Sequence, residues 1–156
     1  MERFARKNPF SRCFLLTLCL FVLMITPDIE ANADVVVIVS VTNSAPVLTA
    51  EQVARIFLGK TETFPNGGKA LPIDQPQGSA LRNEFYLKVS NKIPSQITAY
   101  WAKIIFTGEG NPPRVVENSE ETIDVIANSP NTIGYVDKKA VNTRVRIVFD
   151  PTANSK

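Results

Sequence analysis

The sequence predicts an α/β domain in which helices cover both faces of a mixed β-sheet, a three-layer α/β/α arrangement. Residues 35–41 form a nearly unbroken run of β-branched side chains, which is typical of a strand buried on both faces. Helical segments alternate with this strand and with three further short apolar runs, at 70–74, 132–136 and 145–149. Two predicted helices, 79–89 and 94–106, follow each other without a strand between them. We therefore expect a mixed strand order rather than a wholly parallel one.

The first predicted helix has recognisable signals at both ends. Thr49 and Gln52 have the spacing of a capping box, in which each side chain bonds the backbone N–H of the other residue. Val53, Ile56 and Phe57 then repeat at helical spacing and give one buried stripe. Gly59 follows as the expected stop.

The next two helices are defined by their apolar stripes. The second buries Leu81, Phe85 and Val89 on one face. The third has Pro94 in its first turn and is expected to end at Gly108. Its predicted buried residues are Ile97, Trp101, Ile104 and Ile105.

A fourth helix is predicted over residues 120–128, with Ser119 as its cap and Pro130 beyond its end. The strand 132–136 follows directly. On this strand we expect Tyr135 to lie mainly in the core, with its hydroxyl at the edge of the domain.

The first 33 residues read as a secretory signal peptide. Four basic residues precede an apolar run of residues 13–25, and an Ala-Asn-Ala cleavage pattern ends at Ala33. The run is shorter than the roughly 20 residues that a membrane-spanning helix needs, so an uncleaved anchor is the less favoured alternative. Cleavage after Ala33 leaves one domain, residues 34–150, and a frayed C-terminal tail, residues 151–156.

Composition argues against most enzyme classes. The sequence has no histidine, and its two cysteines, Cys13 and Cys19, lie in the predicted signal peptide. This removes the usual zinc ligand sets and the Ser-His-Asp and Cys-His arrangements. We predict no catalytic residues, no metal site and no cofactor. A hydrolase that uses carboxylates is the least favoured alternative, because no pair of acidic residues has a recognisable spacing. Residues 34–156 carry 13 basic and 12 acidic side chains, so a nucleic-acid partner is not indicated either.

The most informative segment is residues 71–82, a short strand, a polar loop with Gly78, and the first turn of a helix capped by Ser79. The first N–H groups of such a helix have no partner within the helix and lie at the positive end of its dipole. We call this strand-to-helix connection the corner. Two interpretations are consistent with it. One is an ordinary strand-to-helix turn, and the other is a site for a small anion.

Three segments together carry a family resemblance: residues 48–60, which read Leu-Thr-Ala-Glu-Gln through Phe-Leu-Gly-Lys; the loop with Gly78, Ser79 and Arg82; and residues 128–136, which include Ile-Gly-Tyr-Val. The chain resembles the phosphate-binding periplasmic proteins of ABC transporters. The resemblance covers nearly all of the chain after residue 33. It implies a short, single-lobe member with the fold of one lobe of a type II periplasmic binding protein.

The resemblance also implies a ligand site. The family's loop typically reads Arg-Ser-Asp-Gly-Ser-Gly-Thr and holds phosphate with side chains and backbone N–H groups. Here Gly78 and Ser79 match its Gly-Ser core, and Arg82 matches an arginine that often follows. Four positions depart from the pattern, at Gln75, Gln77, Ala80 and Leu81. The predicted ligand contacts are Gln75, Gly78, Ser79, Ala80, Leu81 and Arg82, together with Ser44 in the loop after the first strand.

Arg82 has a second interpretation, a solvated helix-surface arginine paired with Glu84 or another neighbour. If Arg82 contacts the ligand instead, replacing Ser79 and Arg82 together by alanine is expected to weaken binding with little loss of stability.

These observations predict a periplasmic or secreted solute-binding protein for phosphate or a similar oxyanion, linked to phosphate uptake. The expected partners are the anion, the membrane subunits of an ABC transporter and a second copy of the chain. The alternative is an envelope interaction protein that retains the lobe fold and has lost its ligand. The departures at Gln75 and Gln77 motivate this alternative.

Overall fold

The computed structural model describes residues 34–153, so the predicted signal peptide and residues 154–156 lie outside the described part. The strands are β1 (Val35–Ser40), β2 (Leu71–Asp74), β3 (Arg114–Val115), β4 (Thr132–Asp137) and β5 (Val145–Phe149). The helices are α1 (Ala50–Phe57), α2 (Ala80–Ser90), α3 (Pro94–Thr107) and α4 (Ser119–Asn128), with a 3-10 turn at Lys138–Ala140. Within residues 34–153 no helix has both the length and the apolar character needed to cross a membrane.

The five strands form one mixed sheet in the order β3-β2-β4-β1-β5. β2 runs parallel to β3 and β4, whereas β1 is antiparallel to β4 and β5. The strands β2 and β4 therefore end at the same edge of the sheet, which we call the carboxyl edge. Because β1 runs the other way, its last residue Ser40 lies at the opposite edge, the amino edge. The mixed strand order was predicted, and the two-residue strand β3 was not.

Helices cover both faces of the sheet. Val35, Val37 and Val39 of β1 pack into the larger core cluster with buried residues of α1, α2 and α3. Val36 and Ile38 point the other way and pack with α4. Because successive side chains of a strand alternate between faces, one β-branched strand supplies both cores. The predicted three-layer α/β/α class is confirmed.

The helix ends follow local chemistry. Thr49 and Gln52 form the predicted capping box, with Thr49 N–H donating to Gln52 Oε1 at 2.9 Å. Gly59 adopts the left-handed conformation after α1, with φ of 66°. The cap of α4 differs from the prediction. Asn118 Oδ1 accepts from Glu121 N–H at 3.0 Å, and Ser119 is the first helical residue.

Helix α3 packs through a narrower stripe than its sequence predicts. Ile97 and Trp101 are buried and Ile104 is half-buried, whereas Ile105 is 55% exposed. The prediction that Ile105 is buried is therefore wrong. Only one narrow face of α3 packs against the core, so only residues about one turn apart on that face are buried. Ile105 lies next to that face.

The chain end is held by a turn where it is described. Asp150 accepts hydrogen bonds from the N–H and the hydroxyl of Thr152, and its carbonyl accepts from Ala153 N–H at 3.3 Å. Of the predicted frayed tail, residues 151–153 belong to this turn, and 154–156 lie outside the described part.

Gly134 sets the distance between β4 and α4. A Cβ at this position would lie 2.7 Å from Ile126 Cδ1 and 2.8 Å from Thr122 Cγ2. We therefore expect Gly134→Ala to lower the free energy of unfolding by about 1–3 kcal/mol, the usual cost of overpacking. Urea denaturation measures it. Gly110→Ala is the matched control because its new Cβ meets only Ile104 Cγ2, at 3.6 Å. Equal losses in the two variants would contradict this account of Gly134.

Candidate functional site

A buried carboxylate lies under the corner at the carboxyl edge. Asp74, the last residue of β2, is 2% exposed. Its Oδ2 accepts from Arg82 Nε at 3.1 Å and from the Tyr86 hydroxyl at 2.9 Å. Its Oδ1 accepts from the Tyr135 hydroxyl at 2.5 Å and from Gln75 N–H at 2.8 Å. A buried carboxylate needs such partners, because burial without them would cost several kcal/mol.

Local structure brings these groups together. Tyr135 lies on β4, the strand that neighbours β2. Arg82 and Tyr86 are one turn apart on α2, and the Arg82 guanidinium lies 4.9 Å from the centroid of the Tyr86 ring. Phe85 stacks on Tyr135 with ring centroids 4.0 Å apart, so α2 is fixed against β4. Strand, helix and core therefore meet around Asp74.

Arg82 is not the solvated helix-surface arginine of the second interpretation. It is 6% exposed, and its ion pair is with Asp74. Glu84 pairs instead with Lys88, at 3.3 Å. Among residues 34–153, no hydrogen bond reaches Nη1 or Nη2 of Arg82. The guanidinium is thus held by Nε and by the Tyr86 ring, and its outer fork is unbonded.

This placement corrects the expected effect of the double alanine variant. Ser79 Oγ accepts from Arg82 N–H at 3.4 Å and caps α2. Replacing Ser79 and Arg82 together would remove a helix cap and leave Asp74 without its cation. The variant would therefore lose stability as well as any ligand contact, and it cannot separate the two.

The start of α2 is open. Ser79 N–H bonds the carbonyl of Pro76, and Asn83 N–H bonds the carbonyl of Ser79. Within the described residues, the N–H groups of Ala80 and Leu81 have no acceptor. Gly78 precedes them with φ of 91° and is exposed, so no side chain covers this turn. The arrangement offers two N–H donors at the positive end of a helix dipole.

The two glutamines of the loop bond within the protein. Gln75 is 4% exposed, its amide nitrogen donates to the Tyr135 carbonyl at 3.4 Å, and its Oε1 accepts from the Ser79 hydroxyl at 3.3 Å. Gln77 Nε2 donates to Thr98 Oγ1 at 2.5 Å. Leu81 points its side chain into the core and contributes only its N–H to the corner.

Ser44 lies away from the corner, so the predicted contacts do not form one site. Its hydroxyl and carbonyl accept from Asn66, at 3.3 and 3.2 Å. The neighbouring Asn43 donates to the carbonyl of Pro130, just before β4 begins. The loop after β1 is therefore at the amino edge, because β1 is antiparallel to β4. The sequence order of loops does not reveal which edge each one occupies.

Burial controls the titration of the two tyrosines around Asp74. Burial first, and then the Asp74 carboxylate, raise the pKa of both Tyr86 and Tyr135 far above the ordinary value near 10. The folded state therefore holds these protons more tightly than the unfolded chain. Their contribution to stability is complete below pH about 10 and is lost as the pH rises above that value.

We therefore expect Tyr86 and Tyr135 to ionise only as the protein unfolds in base. The third tyrosine, Tyr100, is half-buried and more accessible, so the measurement uses Tyr100→Phe. Tyrosinate absorbance and far-ultraviolet circular dichroism are followed together during a base titration. The two signals should change in one transition. Tyrosinate absorbance that rises near pH 10 in a chain with native dichroism would contradict the buried network.

Three members of this cluster were not predicted from the sequence: Asp74, Tyr86 and the Tyr135 hydroxyl, which is buried and not at the edge. One signal was available. An acidic residue at the end of a buried strand needs a positively charged partner. Arg82 is the first basic residue after Asp74 along the chain. Among residues 34–153 no group of three or more His, Cys, Asp or Glu side chains could hold a metal ion.

Comparison with solved structures shows the fold. The chain is similar to a protein from Clostridium perfringens described as a phosphate ABC transporter substrate-binding protein with bound phosphate. That match has a TM-score of 0.58 and 19% identity, and it covers 74% of this chain and 44% of that one. It is also similar to an ABC-type phosphate transport receptor from Vibrio cholerae, with a TM-score of 0.58, 16% identity, and 78% and 49% coverage.

The chain thus spans somewhat less than half the length of these two structures. No protein-family model and no curated protein matches it. At these identities the likeness shows the fold alone, and the predicted resemblance to phosphate-binding proteins is confirmed at that level.

Proposed function

We propose that this chain binds a small tetrahedral oxyanion at the start of α2, and that it does so in the periplasm or outside the cell. Phosphate is the leading candidate. The observation that carries the proposal is the pair of unbonded N–H groups of Ala80 and Leu81. The unbonded outer fork of the buried Arg82 is on the same helix, within its first turn. The solved structures that share the fold are described as phosphate proteins, one of them with phosphate bound.

The chemistry of the corner suits an anion. Backbone N–H groups at a helix start donate to phosphate oxygens without any side-chain rearrangement. A guanidinium adds a planar pair of donors whose bonds to an oxyanion are charge-assisted. Asp74 fixes that guanidinium through Nε, so little rotamer freedom remains to be lost on binding.

The same contacts limit the affinity. Asp74 neutralises the charge of Arg82, so the anion meets a dipole and oriented donors rather than a net positive charge. Gly78 and Ala80 are exposed, and water competes for the donors. We expect a dissociation constant near 1 mM, about −4 kcal/mol, for the chain alone. A second surface that covers the corner would tighten it. Such a surface would come from transporter membrane subunits or from a second copy of the chain.

Ala80→Pro tests the site with little effect on the fold. Ala80 is the first residue of α2, where proline is favoured, and Ser79 before it has φ of −61° and ψ of 129°, which proline tolerates. The substitution removes one of the two donor N–H groups. Because a hydrogen bond to a charged group contributes about 1.5–3 kcal/mol, phosphate affinity should fall about tenfold or more. Isothermal titration calorimetry with phosphate and sulfate at low salt measures it.

Ala50→Pro is the matched control. It places the same substitution at the first residue of α1, after Thr49 with φ of −85° and ψ of 161°. Helix α1 follows the loop at the amino edge, so this change should leave phosphate binding as it is. Unchanged binding in Ala80→Pro, or no binding heat from the native chain at about 10 mM phosphate, would contradict the proposal.

A second candidate is an envelope interaction protein that keeps the lobe fold without a ligand. Specific contacts favour it: Gln75 bonds within the protein, and Arg82 is committed to Asp74. On this interpretation the folded chain gives no heat with phosphate. The native chain, used as bait, would also recover a protein other than a transporter subunit from a periplasmic extract. The Ala80→Pro variant would recover the same protein equally well.

A further inference from the structure

We propose that a second site, at the opposite edge of the sheet from the corner, binds a small aromatic monocarboxylate. A cavity of about 870 Å³ opens there between the end of α1, the start of β2 and the loop that precedes β3. We call it the amino-edge cavity. Its volume is within the range of about 300–1,000 Å³ that small-molecule sites occupy.

One part of the cavity wall is apolar. Ile56, Pro72, Trp101 and Pro113 contribute to its lining. Ile56 is 1% and Trp101 6% exposed, so both are core residues that border this space. An aromatic ring placed against an indole and proline rings is stabilised by stacking and by the removal of apolar surface from water.

Charged side chains also line the amino-edge cavity. Lys69, at the start of the β2 segment, and Arg114 of β3 are cationic, and Glu62 is anionic. Within residues 34–153, no hydrogen bond or ion pair reaches any of these three side chains. The cavity therefore has one more positive than negative charge, and both of its cations are available to a carboxylate.

The end of a helix in the cavity lining explains why one carboxylate suits the cavity better than two. The last turn of α4 ends there, at Asn128 and Ser129. The carbonyl groups at a helix end carry a partial negative charge and repel anions. A ligand with a carboxylate toward Lys69 and Arg114 and an uncharged ring toward Trp101 meets both conditions.

Trp101 makes the test direct, because it is the only tryptophan in the sequence. Its fluorescence is followed while the purified chain is titrated with phenylacetate and, separately, with the neutral phenylacetamide. We expect a saturable change with phenylacetate, and an affinity for phenylacetamide at least about tenfold lower, since the charge-assisted bonds are lost. The Ala80→Pro variant should behave like the native chain, which separates this site from the corner.

Three variants sharpen the result. Lys69→Gln combined with Arg114→Gln alters only exposed side chains and should weaken phenylacetate binding about tenfold or more. Glu62→Gln removes the one opposing charge and should tighten it. Lys60→Gln is the matched control, because Lys60 lies near α1 but outside the cavity lining, and it should have no effect.

Each contrary result overturns the proposal. These are no saturable fluorescence change with phenylacetate, equal binding of the acid and the amide, or a Lys69 and Arg114 double variant that binds as the native chain does. Weaker phenylacetate binding in Glu62→Gln would also overturn it, because removing the one negative charge of the cavity lining should favour a carboxylate.

Discussion

Replacing Asp74 with alanine is expected to lower the free energy of unfolding by about 3–5 kcal/mol, because it breaks a buried ion pair from one side. Arg82 would remain 6% exposed with no counter-ion, and the hydroxyls of Tyr86 and Tyr135 would lose their acceptor. A stability of about 5–15 kcal/mol is typical for a domain, so about a fifth or more of it depends on this carboxylate. Urea denaturation followed by circular dichroism measures the loss.

Asp124→Ala is the matched control for this change. Asp124 also pairs with an arginine, Arg144, at 2.7 Å, but the two side chains are 55% and 50% exposed. An exposed pair contributes about 0–1 kcal/mol, so this variant should stay close to the native chain. Comparable losses in Asp74→Ala and Asp124→Ala would mean that the buried network does not stabilise the fold as we describe.

The parts of the fold that the sequence predicts well are those set by nearby residues. The capping box at Thr49 and Gln52 depends on atoms three residues apart, and it is present. The unbroken β-branched sequence of β1 by itself predicts burial on both faces, and both core clusters contain residues of β1. Strand β3 has only two residues after a segment rich in glycine and proline, so no periodicity could indicate it.

The position of the candidate site could be predicted from the sequence, but the contacts that its side chains make could not. Gly78 and Ser79 identify the corner from local chemistry, and the open start of α2 is present there. The partner of Arg82 depends on where α2 lies over β2, because Asp74 is separated from it by a loop of several residues. The edge that Ser44 occupies depends on strand order, which is decided by the packing of the whole sheet.

Phe85→Ala should be as destabilising as Asp74→Ala, about 3–5 kcal/mol, for an apolar reason. Phe85 is fully buried between the rings of Phe57, at 4.6 Å, and Tyr135, at 4.0 Å, so truncation removes ring contacts and leaves a cavity between α2 and β4. Urea denaturation measures the loss. Leu87→Ala, at a half-exposed position of the same helix, should change stability by less than about 1 kcal/mol. A small effect of Phe85→Ala would show that α2 is not held on β4 by this ring, and the aligned donors at its start would lose their structural basis.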